Sequence, residues 1–391
     1  MNETNSRRAD RARRLTRDIE DARQREVARL DAEILEAIGR GWDDPLDEAA
    51  FDRLARDVFA HQFRFHAVYR QFCLLQGVGA PADVQDWREI PQVPTGAFRV
   101  GRWATFPSEL DRAAFRTSGT TGSVRGVHHL DTLALYNAAI VSSARRYLVP
   151  ERERIRCLFL SPEPRRAPDS SLVHMFAVFR EALGGPGTSF LLTGETDCSG
   201  SEAMAAELDR AAAEQEAVLL AGAALAFHHA LSGEGGEVWS LPPGSRAMVT
   251  GGFKGVRSQA DPYLLSETIE RKLGIARELQ VAEYGMTELS TQYYDARLRR
   301  SLCAEDDSSG FVVPPWARVR IVEPADGREI ADGDVGAIVH YDLANRGSAL
   351  ALQTSDLGAR TGPHAFELRG RETGAEARGC SLAADLWLGG A

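Results

Sequence analysis

Short apolar runs alternate with helical segments through the middle of the chain, and this alternation constrains the fold most. Residues 154–160 hold five apolar side chains among seven, which is typical of a strand buried on both faces. Residues 171–183 and 202–216 have the composition of helices, and the apolar run 217–220 indicates another strand. Because strands and helices in alternation form a mostly parallel sheet, the sequence predicts an α/β fold.

Farther along the chain, the pattern changes to that of hairpins. Two strand-like runs, 319–322 and 337–340, are separated by Asp326-Gly327 and Asp332-Gly333, which are both turn dipeptides. We therefore expect a barrel-like, antiparallel β portion after the α/β part. Since no internal repeat and no low-complexity linker interrupts the chain, we expect one body with layered sheets and helices.

Residues 1–40 alternate charges around an apolar series with helical spacing, which predicts a long amphipathic helix. Two interpretations of this charged arm stay open: a solvated helix, or an arm whose arginines dock a partner or an anionic surface. The next stretch, residues 51–76, is rich in aromatic side chains at helical spacing and is expected to pack in the core.

The composition excludes several classes of protein. With 391 residues and 43% hydrophobic content, the chain can bury a large core. A formal net charge of −10 argues against nucleic acid as the main partner, because such binding relies on a basic surface. No run of about 18 apolar residues and no apolar signal core is present, so we expect no membrane span and a cytoplasmic location. The five cysteines lack C-x-x-C spacing, which argues against structural zinc.

The strongest local signal is the hydroxyl- and glycine-rich segment Thr117-Ser118-Gly119-Thr120-Thr121-Gly122-Ser123. Glycines let the backbone approach a phosphate closely, while amides and hydroxyls supply hydrogen-bond donors. The segment is not a Walker loop, because the G-x-x-x-x-G-K-[ST] pattern is absent. Taken alone, it indicates either an anion-binding loop or an ordinary surface loop.

The loop resembles the phosphate loop of the adenylate-forming superfamily, which includes acyl-CoA synthetases, luciferases and peptide-synthetase adenylation domains. Three further segments follow in that superfamily's order and resemble its adenine-pocket turn, its Y-G-x-T-E motif and its ribose-binding aspartate: Thr250-Gly251-Gly252-Phe253-Lys254, Tyr284-Gly285-Met286-Thr287-Glu288 and Thr354-Ser355-Asp356-Leu357-Gly358. Gly370-Arg371 resembles the pair that ends the large domain in these enzymes. Four ordered matches are far more specific than one.

Other segments resemble the acyl-protein synthetase branch, the LuxE-like enzymes that supply acyl groups for fatty-aldehyde formation in bacterial luminescence. These segments are residues 51–76, Ile90-Pro91-Gln92-Val93-Pro94, residues 169–175 and Arg378-Gly379-Cys380-Ser381-Leu382. The resemblance begins near residue 30. Together with the helical arm at residues 1–40, it implies an adenylate-forming large domain (41–365) and a short tail (366–391), with the usual C-terminal lid domain absent.

The resemblance implies ATP and Mg²⁺ as cofactors of a reaction in which a carboxylate attacks the α-phosphorus and pyrophosphate leaves. The loop would hold the β- and γ-phosphates, Thr287 the α-phosphate and Glu288 the magnesium ion. The nucleotide-binding set that it implies is Thr117, Ser118, Gly119, Thr120, Thr121, Gly122, Gly251, Gly252, Tyr284, Gly285, Thr287, Asp356 and Arg371. The alternatives are structural: a helix-start carboxylate for Glu288, a turn aspartate for Asp356 and a core aromatic for Tyr284.

Three further residues are implied as catalytic: His174, Lys254 and Cys380. His174 would orient the substrate carboxylate, and a core histidine is the open alternative. Lys254 lies beside the expected adenine turn and could assist with phosphate charge, with a surface role as the open alternative, whereas the only other lysine, Lys272, is expected to be solvated. Superfamily loops commonly continue into proline-lysine, and here Val124-Arg125 follows, so Arg125 is the cation that could replace the lysine.

Cys380 matters because the expected absence of a lid leaves the second half-reaction without a known catalyst. A thiolate near the end of the tail could take the acyl group as a thioester, and Arg378 could lower its pKa; a packed tail residue is the alternative. The sequence thus favours a ligase that activates a fatty acid and passes it to a protein thiol, with a fatty-acyl reductase or an acyl carrier as acceptor. An acyl-CoA ligase similar to phenylacetate-CoA ligases and a catalytically silent adenylate-binding protein stay open as alternatives.

Overall fold

Strands and helices alternate through the middle of the chain in the computed structural model, which describes residues 2–117, 124–192, 200–231, 238–251, 262–303 and 308–372. The helices in these segments are α1 (Asn2–Arg40), α2 (Glu48–Phe65), α3 (Ala67–Leu75), α4 (Ala134–Leu148), α5 (Ser171–Ala182), α6 (Gly200–Glu214), α7 (Ala224–Leu231), α8 (Pro262–Leu273) and α9 (Arg297–Cys303). The strands are β1 (Val93–Pro94), β2 (Ala113–Arg116), β3 (Val127–Leu130), β4 (Arg156–Pro162), β5 (Ser189–Leu192), β6 (Val218–Ala223), β7 (Arg246–Thr250), β8 (Gln280–Tyr284), β9 (Tyr293–Asp295), β10 (Phe311–Val312), β11 (Ala317–Val322), β12 (Gly336–Asp342), β13 (Ala351–Gly362) and β14 (Ala365–Arg371).

The strands β5, β4, β6, β7 and β8 are the parallel part of a 12-stranded sheet. Their residues alternate between two clusters of buried side chains, one shared with α4 and α5 and the other with α6, α7 and α8. Because both faces are covered, the strands are apolar almost throughout, as the sequence indicated. The carboxyl ends of these strands lie along one edge of the sheet, and the predicted α/β fold is confirmed.

The antiparallel part of the sheet continues from β8 through β9, β10, β14, β13 and β12 to β11. The predicted hairpin strands are β11 and β12, and Gly327 and Gly333 in the turn between them have φ values of 70° and 89°, which suit glycine. The described pairings leave β11 at an edge. These strands therefore extend the sheet as an antiparallel portion, and the described pairings do not confirm that this portion is barrel-like.

The predicted long helix is present as α1, and its second half is part of the core. Leu30, Ile34 and Ile38 recur every four residues and are buried, whereas Ile19 is 51% exposed. The predicted arm thus packs on the body from about Leu30 onward because its apolar stripe needs a partner there. At the other end, β14 crosses the expected boundary between residues 365 and 366 and pairs with β13. In the described segments, no helix combines enough length and apolar character to cross a membrane.

A buried arginine ties α1 to the rest of the molecule. Arg346, 1% exposed, lies in the segment between β12 and β13, and its guanidinium contacts both oxygens of Asp31 in α1 at 2.7 and 3.1 Å. It also contacts both oxygens of Asp131, just after β3, at 2.9 and 3.0 Å. Burial raises the pKa of Asp31, and the neighbouring Arg346 opposes that rise. Three distant segments therefore depend on one cation.

Replacing Arg346 should destabilise the fold strongly. Arg346→Met leaves two half-buried carboxylates close together without a cation, so we expect the free energy of unfolding to fall by roughly 3–5 kcal/mol in urea titrations. The matched control is Arg29→Met in the same helix α1, because Arg29 is half-exposed and pairs with Glu33 and Asp57. That change should cost less than about 1 kcal/mol. If both variants lose the same free energy of unfolding, the Arg346 triad contributes no more to stability than the exposed ion pairs of Arg29.

A buried carboxyl group lies at the end of the parallel strands. Glu283 in β8 is 6% exposed, is paired in register with Thr250 of β7, and accepts a hydrogen bond from its hydroxyl. Burial raises the pKa of Glu283 to about 7, and the Thr250 hydrogen bond only partly offsets this effect. Since the ordinary value for a glutamate is near 4.5, the folded protein holds this proton more tightly than the unfolded chain does.

This pKa predicts a specific pH dependence of stability. The contribution of Glu283 is complete below pH 4.5 and is lost as the pH rises to about 7, because in this range the unfolded chain releases the proton while the native state still holds it. Glu283→Gln cannot ionise and lacks this loss. We therefore expect the variant to gain roughly 2–3 kcal/mol of unfolding free energy relative to the unmodified protein between pH 5 and pH 8. If the free energies of unfolding of the two proteins, measured in urea, change in parallel over that pH range, the raised pKa of Glu283 is contradicted.

Candidate active site

The predicted motifs meet at the carboxyl edge of the parallel strands. Tyr284 is the last residue of β8, and Gly285 begins the turn that follows. Gly251 comes directly after β7 with a φ of 69°, which suits glycine, and an added Cβ there would have no described atom within 4 Å. In parallel sheets ligands bind outside this edge, because the loops that leave it are free to surround them.

Three predicted site residues contact one another although they are far apart in the chain. The Tyr284 hydroxyl donates a hydrogen bond of 3.0 Å to Asp356 Oδ2, and Arg371 Nε forms an ion pair of 2.9 Å with Asp356 Oδ1. Asp356 and Arg371 are cross-strand partners in β13 and β14. The register of this hairpin thus places the guanidinium beside the carboxylate, and the end of β8 brings the phenol to its other oxygen.

The ring of Tyr284 is held by other aromatic rings. Its centroid lies 5.7 Å from those of Phe311 and His340 and 5.8 Å from that of Phe366. Burial raises the pKa of Tyr284, with Asp356 adding to the rise, so its hydroxyl stays protonated and remains a donor. Tyr284 is therefore a core aromatic residue, which was the alternative to a nucleotide-binding role. It also contacts Asp356, the aspartate that is predicted to bind ribose.

The two ends of the expected phosphate loop are joined at its base. The amide of Thr117 donates to Gly126 O at 2.9 Å, and the amide of Gly126 donates to Thr117 Oγ1 at 2.9 Å. Arg125 Nε donates to Thr117 O at 2.6 Å, so the guanidinium holds the base of the loop. The strands β2 and β3 pair on either side of it. Ser118, Gly119, Thr120, Thr121 and Gly122 themselves lie outside the described residues.

The Y-G-x-T-E segment lies beside this loop base. His128 of β3 donates from Nδ1 to Thr287 O at 2.8 Å, and the hydroxyls of Thr287 and Ser171 are 3.2 Å apart. Ser171 begins α5, so Thr287 connects the loop strand with that helix. Glu288 follows and is half-buried, and its backbone oxygen accepts from Asn345 Nδ2 at 2.8 Å. A loop, a helix start and a carboxylate are thus neighbours at one edge of the sheet.

His174 lies on α5, one turn after Ser171. Its Nε2 donates to Asn137 Oδ1 at 2.8 Å, and its ring stacks on that of Tyr136 with centroids 5.6 Å apart. Burial lowers the pKa of His174, so the imidazole is neutral near pH 7. A neutral, half-buried histidine can orient a ligand by hydrogen bonding, while its stacking also fits the core alternative.

Other predicted residues have mixed outcomes. Gly252, Lys254 and Cys380 lie outside the described residues. Lys272 is not solvated as expected: it is 8% exposed, and its Nζ donates to Leu231 O at 2.6 Å. Leu231 ends α7, where backbone carbonyls lack helical partners and a cation is favourable, so the lysine caps a helix.

The sequence reasoning missed two buried polar residues next to the site. His340 lies between Tyr284 and Tyr293, and Glu283 precedes Tyr284 directly in β8. The available signal was a histidine or a glutamate inside an apolar strand, which is unusual enough to need a polar partner. In the part of the chain that the structure describes, no group of three or more His, Cys, Asp or Glu side chains could hold a metal ion.

Known proteins with similar sequences are ligases. A long-chain-fatty-acid–luciferin-component ligase of Vibrio harveyi is 22% identical over 323 residues, which cover 81% of this chain and 81% of the relative. The protein of the same name from Aliivibrio fischeri is 23% identical over 327 residues, again with 81% of both chains covered. Among solved structures, an open conformation of 2-hydroxyisobutyryl-CoA ligase in complex with 2-HIB-AMP and CoA superposes with a TM-score of 0.59. It is 14% identical, and the match covers 84% of this chain and 71% of that chain, which shows the same fold.

The family is shown by a match over most of the chain. The sequence model of the family described as "Acyl-protein synthetase, LuxE" matches residues 20–386. The prediction of a ligase that activates an acid and transfers the acyl group is thereby confirmed, as is the adenylate-forming fold. This chain belongs to the LuxE family of acyl-protein synthetases.

Proposed function

We propose that this chain activates a fatty acid with Mg·ATP to form an acyl-adenylate and then passes the acyl group to a protein thiol. The main support for the first step, formation of the acyl-adenylate, is the contact of Asp356 with Tyr284 and Arg371 at the carboxyl ends of the parallel strands. Such an arrangement offers an aromatic surface, a carboxylate that can accept from sugar hydroxyls, and a cation. These are the groups that a bound nucleoside triphosphate needs.

In this proposal the nucleotide spans the edge from Tyr284 to the loop base. Asp356 accepts from the ribose hydroxyls, and residues 117–122 hold the β- and γ-phosphates. Thr287 holds the α-phosphate, since it lies beside both His128 and Ser171. Glu288 supplies a protein carboxylate for Mg²⁺, whose remaining ligands are phosphate oxygens and water. When bound, the ion would neutralise charge on the leaving pyrophosphate.

The acid would approach from the side of α5. His174 is neutral and hydrogen-bonded there, so it can orient a carboxylate without adding charge. The helix also carries the buried apolar residues Met175, Phe176 and Phe179, which are compatible with an acyl chain nearby. Both similar proteins are named as long-chain-fatty-acid ligases, which supports a fatty acid as the substrate class.

The second step needs a thiolate, and two of the cysteines are poorly suited to provide it. Burial raises the pKa of Cys73 and of Cys157 to about 12, so both stay protonated near neutral pH. Cys303 is half-buried in α9. We propose Cys380 as the acceptor, because it lies within the family match, and a fatty-acyl reductase or an acyl carrier as the next partner. The thiolate would attack the acyl carbonyl and AMP would leave.

The nucleotide assignment predicts the effect of Asp356→Asn. The change removes the charge that accepts from the ribose, so we expect kcat/KM for ATP to fall by roughly 10–100-fold in acid-dependent ATP–pyrophosphate exchange, assayed with short-, medium- and long-chain fatty acids. The matched control is Asp326→Asn, because Asp326 is exposed in the turn between β11 and β12. The control should exchange normally. If the unmodified protein shows no exchange with any acid, the chain is a silent nucleotide binder instead.

The transfer assignment predicts a different result for Cys380→Ser. We expect unchanged pyrophosphate exchange and complete loss of the hydroxylamine-sensitive acyl adduct in mass spectra, because adenylation does not use the thiol. Cys303→Ser is the matched control and should keep the adduct. A persistent adduct in Cys380→Ser would move the acceptor elsewhere. Acyl-CoA formation by that variant would favour the coenzyme A ligase alternative.

A further inference from the structure

A chain of hydrogen bonds behind the proposed ribose site has no role so far. His340 of β12 is fully buried, with Nδ1 2.9 Å from the Tyr293 hydroxyl and Nε2 3.4 Å from the Tyr284 hydroxyl. Tyr284 in turn donates to Asp356. Four side chains from β8, β9, β12 and β13 thus form one series that ends on a carboxylate.

The direction of every hydrogen bond in this series follows from counting protons. A carboxylate only accepts, so the single proton of the Tyr284 hydroxyl points to Asp356. The Tyr284 oxygen must then accept at its contact with His340, which puts the ring proton on Nε2. Nδ1 is therefore the acceptor, and Tyr293 donates to it. The series runs in one direction, from Tyr293 to Asp356.

This arrangement requires a neutral imidazole. A protonated His340 would carry a proton on Nδ1 and could not accept from Tyr293. Burial lowers the pKa of His340 to about 3, so the ring is neutral throughout the range in which the protein would work. In a buried series, each bond polarises the next one, so the donor strength of the Tyr284 hydroxyl depends on His340.

The carboxylate of Asp356 is consequently fixed from two sides. Tyr284 holds Oδ2 and Arg371 holds Oδ1, so rotation of the carboxylate would break one contact or both. Each oxygen keeps a further lone pair for a ligand. Two sugar hydroxyls would find both acceptors in a set orientation, which is the advantage of preorganisation.

We propose that His340 is a positioning residue of the nucleotide site, which acts through Tyr284 to orient Asp356 toward the ribose 2′- and 3′-hydroxyls. This inference rests on the proposed binding of ATP at Asp356 and adds a determinant of sugar recognition. It makes His340 responsible for part of the preference for ATP over 2′-deoxyATP, although the side chain does not touch the nucleotide.

A purely structural role for His340 makes a different prediction. The ring packs against Tyr293 and Phe366, with centroids 5.1 and 6.1 Å away. If packing were its only task, a substitution would lower stability and would change the use of ATP and 2′-deoxyATP by the same factor. The ratio of the two kcat/KM values therefore separates positioning from packing.

The experiment is a double-mutant cycle read out as that ratio. We expect His340→Phe, which keeps a ring without hydrogen bonds, to lower the preference for ATP by about three- to tenfold in acid-dependent pyrophosphate release. His340→Gln retains a donor near the position of Nε2 and should restore part of the preference. In a Tyr284→Phe background, His340→Phe should have no further effect on the ratio, because the connection is already broken.

Two outcomes would overturn the proposal: an unchanged ratio in His340→Phe, or an equal drop of the ratio with and without the Tyr284 hydroxyl. If His340→Phe does not fold, Tyr293→Phe decides, since it removes only the first donor and should lower the ratio in the same direction. Asp356→Asn distinguishes the two levels of inference. If Asp356→Asn loses the preference for ATP over 2′-deoxyATP while the His340 and Tyr293 variants keep it, only the role of His340 is refuted. If neither the unmodified protein nor any variant prefers ATP over 2′-deoxyATP, the proposed ATP site at Asp356 is refuted as well.

Discussion

The carboxylate of Asp356 is the point on which the proposed chemistry depends. It lies in the antiparallel part of the sheet, yet its partner Tyr284 ends the last parallel strand, so this hydrogen bond connects side chains from the two parts. Arg371 neutralises the charge from the neighbouring strand. The contact with Tyr284 therefore places an aromatic ring next to a carboxylate and a cation that the β13–β14 pairing already holds together.

The molecule contains two kinds of buried polar group, and they have opposite requirements for charge. The charged triad of Arg346 with Asp31 and Asp131 ties α1 to the body, where a fixed geometry matters more than the cost of burying charge. At the site, burial keeps His340 neutral and raises the pKa of Glu283 to about 7. A neutral group can orient a neighbouring side chain through hydrogen bonds, and it adds no charge that would interact with the nucleotide and the substrate carboxylate.

The elements that the sequence predicted well are those whose signal is local. The apolar run that became β4 and the helix that became α5 were visible because burial on two faces, or on one stripe, selects residue types directly. Lys272 was misjudged because its neighbours in α8 are charged, while its real partner is a carbonyl 41 residues away. The anchoring of α1 was missed for the same reason, since Arg346 is 315 residues from Asp31.

The sequence by itself indicated the kind of fold through its apolar runs, and the resemblance of its motifs supplied the candidate site residues, because both signals lie among neighbours in the chain. Only the tertiary structure decided which of these groups meet. The register of β13 and β14 puts Arg371 opposite Asp356, and the sheet order puts His340 behind Tyr284. A shift of one residue in a strand would turn each side chain to the other face, and no local pattern encodes that choice.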